Sequence, residues 1–396
     1  MNSIRSPLLS LAFGLVASTV QAADPPGMVW VPGGEFVMGT DDKKSMPNER
    51  PAHRVYVDGF WMDATIVTNA EFGQFVAATS YKTVAERPVD WEELKKQVPP
   101  GTPRPPDEML QPGSLVFTPP DHPVDLRDMN RWWTWTTGAD WRHPQGPNSS
   151  IEGKENLPVV HVAWEDAAAY AKWAEKRLPT EAEWEFASRG GALKNTRFWW
   201  GDTFQPDGKS MANSWDGDFP YRNTRTDGYV GVAPVKTFPP NGYGIYDMAG
   251  NVWQWTTDFY RADTHALNLE ASQKTNGCCM NPTGPTSTFD PGRPVQNNPE
   301  RVTKGGSFLC NASYCESYRP TARRGVPPDT GTEHIGFWCV KDPVKTADLQ
   351  SKSGSPPPRC PEPIAHRRGA GRAPPRRGVV RGIQFQVGDN LDCRGG

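Results

Sequence analysis

The chain has 396 residues, enough for one large domain or two ordinary ones, with 38 glycines, 41 prolines and an unusual 16 tryptophans. A formal net charge of −2 supplies no global field to recommend nucleic acid as a partner. No stretch approaches the ~20 apolar residues of a membrane helix, so integral membrane association is not expected. Such a composition reads as a loop-rich globular protein whose loops are pinned by aromatic anchors.

The chain opens on a targeting pattern. Arg5 gives a short positive region, Leu8 to Val20 an apolar stretch, and Val20-Gln21-Ala22 small residues before Ala23. This predicts a signal peptide over 1–22 and export to the periplasm or outside the cell. The apolar stretch is too short for a membrane anchor. Export puts the seven cysteines where disulfides form, and their odd number leaves at least one outside any internal pairing. Cys278 and Cys279 are adjacent, and a bridge between neighbours is strained, so a loop with local thiols is the simpler reading.

Met28 to Gly34 reads as a short strand into a turn, continued by Phe36 to Gly39. His53 to Phe60 alternates as a second strand. Thr68-x-x-Glu71 is a capping box that opens a helix with Phe72, Phe75 and Val76 on one face. Residues 86–130 are Pro-rich and lack period, which reads as a long surface excursion. Asp166 to Lys176 reads as a second helix, broken by Pro179. Thr180-x-x-Glu183 opens a third that ends near Gly190-Gly191. Tyr170, Trp173 and Trp184 read as core packing. From Trp199 to Trp338 regular elements should be short. The tail over 346–396 is Pro-, Arg- and Gly-rich, cannot bury a core and is expected to be disordered; a solvated or unselected tail is the simpler reading beside one that touches nucleic acid or an anionic surface.

The stretch that points to chemistry is Arg301 to Cys315, where Cys310 and Cys315 have four residues between them just after Gly305-Gly306-Ser307. One chain reversal brings both sulfurs together. Two thiolates with no nearby histidine suit a soft ion such as Cu(I), whereas structural zinc wants four ligands. On spacing alone, a structural disulfide is the simpler reading in an exported protein.

Arg301 to Cys315, followed by Glu333-His334-Ile335-Gly336-Phe337-Trp338-Cys339, resembles the active-site region of the formylglycine-generating enzymes, the sulfatase-modifying factor family. The segments Gly33 to Thr40, Trp141 to Pro147, Arg177 to Glu185, Pro240 to Gly244 and Asp247 to Trp255 are also family-like and in family order. Together they span roughly 27–345, read as one family domain.

The resemblance implies an α+β fold related to C-type lectins, with little regular secondary structure, short strands and a few helices. It implies Cu(I) held by Cys310 and Cys315. It also implies oxidation of a cysteine within Cys-x-Pro-x-Arg of an unfolded sulfatase to formylglycine, with O2 and a thiol reductant. Ser307 and Tyr314 would shape the oxygen and substrate side, and Trp253 would line the pocket. It further implies two Ca2+ sites. The first would use Asn213, Asp227 and the carbonyls of Ser214 and Tyr229. The second would use Asp247, Gln254 and the carbonyls of Gly250 and Val252; Gln254 stands where the family commonly has Glu, which removes a negative charge. The chain is expected to act as a monomer.

Departures from the family accompany these matches. Ala171 and Cys339, like Ser188 and Pro320, stand where vertebrate members form disulfides, so Cys339 is expected to be a buried thiol outside any bridge. Asn311 replaces a commonly basic or polar residue, and Ile66 a commonly acidic one. Two rivals stand beside the oxidase. A non-catalytic relative that binds peptide or carbohydrate would usually lack the two cysteines. A sulfoxide synthase with non-haem iron would need a histidine-rich site on an added domain, for which seven scattered histidines give no basis.

Overall fold

The computed structural model describes residues 24–343 except 97–100, 193–194, 275–278 and 290–298. The leader over 1–22, the tail over 346–396, and Cys278, Cys360 and Cys393 therefore lie outside the described residues.

The strands in chain order are β1 Met28–Val31, β2 Gly34–Met38, β3 His53–Val57, β4 Phe60–Asp63, β5 Gly113–Phe117, β6 Trp133–Thr137 and β7 Gly217–Asp218. They continue as β8 Arg222–Asn223, β9 Trp253–Phe259, β10 Cys279–Met280, β11 Arg301–Lys304, β12 Arg324–Val326, β13 Ile335–Phe337 and β14 Val340–Lys341. The helices are α1 Asn69–Thr79, α2 Trp91–Leu94, α3 Trp164–Trp173, α4 Glu181–Ser188 and α5 Thr264–Lys274. This is the α+β pattern of short elements that the sequence predicts.

Both predicted capping boxes form. Thr68 Oγ1 accepts from Glu71 N at 3.3 Å while Glu71 Oε2 accepts from Thr68 N at 2.8 Å. Thr180 and Glu183 repeat the exchange at 3.1 and 2.8 Å. Each satisfies two otherwise orphaned donors at a helix start. Phe72, Phe75 and Val76 then bury one face of α1 against Trp141, Tyr170 and Phe337. Tyr170 and Trp184 are core residues as expected, but Trp173 is 40 % exposed at the end of α3.

Four boundaries differ from the sequence reading. The run through 28–39 is two strands in separate sheets: β1 pairs with β4, and β2 with β3. The run through 53–60 likewise divides after Val57, because Asp58-Gly59 turns the chain from one sheet into the other. The Pro-rich segment 86–130 is no mere excursion: β5 lies within it, pairs with β6 over five residues and buries Val116. Helix α3 begins two residues before Asp166 and ends at Trp173. The aromatic-rich second half also holds an 11-residue helix, α5, and a seven-residue strand, β9.

Strand β9 is the spine of the site. It lies between β11, antiparallel, and β13, parallel, with β12 on the far side of β11. The chain leaves β11 at Lys304, makes the loop that carries both cysteines, and returns into β12 at Arg324.

Candidate active site

Gly305 and Gly306 start this loop with φ of 85° and 69°, a conformation costly for other residues. A Cβ at Gly306 would meet the backbone of Ser317 and Tyr318 at 2.9 Å, so this turn also needs the space that glycine leaves. Asn311 then shapes the reversal between the cysteines. Its Oδ1 accepts from Ser313 N at 3.1 Å and Tyr314 N at 2.9 Å, and its Nδ2 donates to Gly217 O at 3.1 Å. Backbone bonds from Cys310 N to Ser307 O and from Cys315 N to Asn311 O, both 2.9 Å, close the two turns. The sequence singles out Asn311 only as a departure; its use as a turn former is the ordinary property of the residue type.

The result is that Cys310 Sγ and Cys315 Sγ lie 2.8 Å apart as two thiols. A disulfide would hold them near 2.0 Å. Cys310 is 1 % exposed and Cys315 8 %. Burial, the neighbouring Cys315 thiol and their mutual repulsion when charged all push the Cys310 pKa well above the ordinary thiol value. Without a metal Cys310 therefore keeps its proton near neutral pH.

Both cysteines line a cavity of about 270 Å³ together with Trp253, Ser307 and Tyr314. All five predicted catalytic residues thus converge on one space, although Trp253 comes from β9 and the rest from the cysteine loop. Tyr314 is stacked on Phe219 at 4.5 Å and meets Trp132 edge-on at 5.7 Å, so its ring direction is fixed by packing. Leu115 and Pro327 also border a second groove, of about 480 Å³, that includes Asp90, Glu93 and Asp329.

His334 corrects the expectation of a site without histidine. It lines the same cavity, its Nδ1 is 3.4 Å from Ser307 Oγ, and its ring meets Trp133 edge-on at 4.7 Å. Burial lowers its pKa to about 4, leaving it neutral at pH 7. The parallel β9–β13 pairing sets it beside Trp253, whose N donates to His334 O at 2.7 Å. The separation of 27 positions between Ser307 and His334 hides this proximity from local spacing.

Buried ion pairs clamp the loop at both ends. Lys304 Nζ reaches Glu185 Oε2 at 3.3 Å and Glu181 Oε1 at 3.6 Å. Arg323 grips Glu181 with Nε and Nη2 at 2.7 and 2.8 Å, and Arg319 grips Glu49 through Nη1 and Nη2 at 2.6 and 2.7 Å. Two-pronged pairing of this kind fixes geometry as well as charge. Behind Cys310 and Cys315 the scaffold is therefore charged but paired, while their cavity is walled by aromatics.

The donor set suits a soft ion. Among the described residues no group of three or more His, Cys, Asp or Glu side chains is placed to hold a metal. An ion at Cys310 and Cys315 would thus have two thiolate ligands from this chain, a set that suits Cu(I). Asn213, Ser214, Asp227 and Tyr229 also come together: Asp227 accepts from Ser214 N and Tyr229 N, both at 2.9 Å. Asp216, which the sequence reading missed, faces Asp227, and its Oδ2 is buried without a partner. Burial raises the pKa of both acids, and Asp216 adds to the rise at Asp227. An orphaned carboxylate oxygen beside a second carboxylate fits a hard cation such as Ca2+. Asp247, Gly250, Val252 and Gln254 are likewise adjacent, but Gln254 turns its amide N–H groups into them.

Cys339 is fully buried, outside any disulfide, and close to Asp63 and Lys176, as expected for a thiol without its family partner.

Comparison with known proteins gives a family match and a fold match. Residues 13–343 match the family described as sulfatase-modifying factor enzyme 1-like domain. A formylglycine-generating enzyme from Mycobacterium tuberculosis is 47 % identical over 319 residues, covering 80 % of this chain and 98 % of that protein. A protein named inactive C-alpha-formylglycine-generating enzyme 2, from Mus musculus, is 37 % identical, covering 86 % and 94 %. The solved structure of PvdO from Pseudomonas aeruginosa is similar in fold at a TM-score of 0.50 and 22 % identity, covering 81 % of this chain and 100 % of that one.

Proposed function

The chain belongs to the sulfatase-modifying factor enzyme 1-like family, and from that premise we propose that it oxidises a cysteine of an unfolded sulfatase to formylglycine. The observation that carries the reading is the pair of buried thiols, 2.8 Å apart, on the floor of an aromatic cavity. The substrate motif is Cys-x-Pro-x-Arg, met by an exported enzyme in the compartment that receives the unfolded client.

The reaction balances as substrate thiol plus O2 plus two electrons and two protons, giving aldehyde, hydrogen sulfide and water. Two of the four electrons that reduce O2 come from the substrate, whose Cβ–H and C–S bonds break. The other two come from a thiol reductant. Cu(I) held by Cys310 and Cys315 would supply the redox chemistry that lets O2 react with the substrate.

The rest falls to the protein. Burial of the cysteine loop keeps water from the reacting sulfurs. Trp253 walls the cavity beside Cys310. Ser307 Oγ accepts from Leu309 N at 3.3 Å, which leaves its own proton for His334 Nδ1 or for an oxygen species in the cavity. Tyr314, held between Phe219 and Trp132, borders the substrate side. The neighbouring groove gives an extended peptide a place to lie, and Asp90, Glu93 and Asp329 suit the arginine of the motif.

The test is mass spectrometry of a synthetic Cys-x-Pro-x-Arg peptide incubated with the purified protein, O2, thiol reductant and Cu(I). The expected result is a mass loss matching thiol-to-aldehyde conversion that vanishes in Cys310→Ser and Cys315→Ser. An unchanged peptide from copper-loaded protein would overturn the reading in favour of a binding role without catalysis.

A further inference from the structure

The second predicted cation site is built around Gln254, which is wholly buried on β9. Its Oε1 accepts from Trp184 Nε1 at 2.6 Å. An indole N–H only donates, so this bond fixes which way the amide points. Nε2 must then face the other side, where it donates to Asp247 O and Val252 O, each at 3.1 Å. Val252 O is one of the oxygens expected to hold the ion. Asp247 O belongs to another residue of the same predicted set.

We infer that the Gln254 amide stands in for the second cation, so that this chain closes the site with its own side chain and binds no calcium there. Three facts agree. The amide is confined: a Cβ at Gly305 would lie 2.6 Å from Nε2 and 2.9 Å from Oε1, so the group cannot swing away without moving the Gly-Gly turn. It is spoken for: releasing Nε2 to admit an ion would break two hydrogen bonds in a buried place, and turning the amide over would set its NH2 against Trp184 N–H. The ligand set is also depleted. Calcium takes six to eight oxygens, whereas here Val252 O and Gln254 Oε1 are already hydrogen-bonded. Asp247 Oδ2 accepts from Lys236 N at 3.0 Å, leaving Oδ1 as the one carboxylate oxygen there that is buried without a partner.

A Glu at 254 would change one group and reverse the outcome. One oxygen would still accept from Trp184, and the other would replace the two N–H donors with a charged acceptor beside Asp247 O and Val252 O. The Gln therefore does more than remove a charge: it supplies the positive end of a dipole where the ion's charge would sit. The turn from Asp247 to Val252 leads straight into Trp253, the first residue of β9, so this device holds the wall of the cysteine cavity without needing a metal.

The experiment compares the full-length protein with Gln254→Glu, both purified in calcium, freed of loose ion by gel filtration and measured by elemental analysis. The expected result is one more Ca2+ per chain in Gln254→Glu than in the parent, whatever the first site contributes. Equal calcium content in the two proteins would overturn the inference. A second variant guards against misreading a folding defect. Gln254→Met keeps the bulk and loses the N–H groups, and its Tm should fall by several degrees equally in calcium and in EGTA. A Tm unchanged from the parent, or a loss that calcium repairs, would also overturn it.

Discussion

Glu181 offers the sharpest test of the clamp behind the cysteine loop. Glu181→Gln keeps the shape and removes the charge that Arg323 and Lys304 share. Burial works to raise the Glu181 pKa, but Arg323 and Lys304 outweigh it and bring the pKa from its ordinary 4.5 down to about 2. That drop, at ~1.4 kcal/mol for each tenfold change in proton affinity, is worth about 3–4 kcal/mol of stability at neutral pH. Removing one partner of a buried ion pair typically costs ~3–5 kcal/mol, in agreement. Taking ~2 °C per kcal/mol, the lower end that suits a domain this large, Tm should fall by about 6–8 °C. The sign follows from the direction of the shift. A depressed carboxylate pKa gives stability that is complete above the unfolded value and is lost as pH falls through the folded one. The gap between parent and variant should therefore be full at pH 6 to 7 and shrink as pH falls from about 4.5 toward 2. Thermal unfolding followed by tryptophan fluorescence reads both. A gap under about 2 °C at pH 7, or one that stays constant down to pH 3, would refute the reasoning.

Other outcomes follow from the same geometry. Asp258, raised to about 7 by burial and by Glu181, costs the parent stability as pH rises from about 4 through 7; the Tm of Asp258→Asn relative to the parent should therefore improve across that range and then level off. Cys339 should resist iodoacetamide in the native protein and label only on unfolding, read by peptide mass spectrometry, because its thiol is buried and its pKa pushed well above the ordinary value. His334→Phe keeps an aromatic ring against Trp133 and removes the nitrogen facing Ser307; on the peptide assay turnover should fall several-fold with little change in Tm, and an unchanged rate would show that His334 only packs.

What the sequence discloses is what lies close along the chain. The capping boxes at Thr68 and Thr180 and the turn that joins Cys310 to Cys315 are short-range devices, and each appears where expected. Sheet membership is not short-range. Residues 28–39 alternate as one strand would, yet partners more than 20 residues away decide that Val31 and Gly34 belong to different sheets. The clamp is still more remote, since Arg323 meets Glu181 across 142 residues and Arg319 meets Glu49 across 270. Nothing local marks those glutamates as different from solvated ones. Asp216 and His334 escaped notice for the same reason, one being a turn former by type and the other one of seven scattered histidines.

Gln254 shows how a local clue and a remote partner combine. The sequence shows a lost charge; only Trp184, 70 residues away, sets the direction of the amide. The same Trp184 ring lies 5.4 Å from Lys304 Nζ, and Lys304 is paired with Gln254 across β9 and β11. The closed cation site and the clamp therefore share a wall, and they should couple. In Glu181→Gln, Lys304 and Arg323 lose a common anion. In Gln254→Glu, a new carboxylate appears on the neighbouring strand. In EGTA each single change should lower Tm, but the double variant should lose less than the sum of the two, because the new charge faces cations that the first change left short. Neighbours that share partners typically depart from additivity by ~0.5–3 kcal/mol. Strict additivity in a double-mutant cycle would mean that the two assemblies are separate, and that Trp184 connects them in space alone.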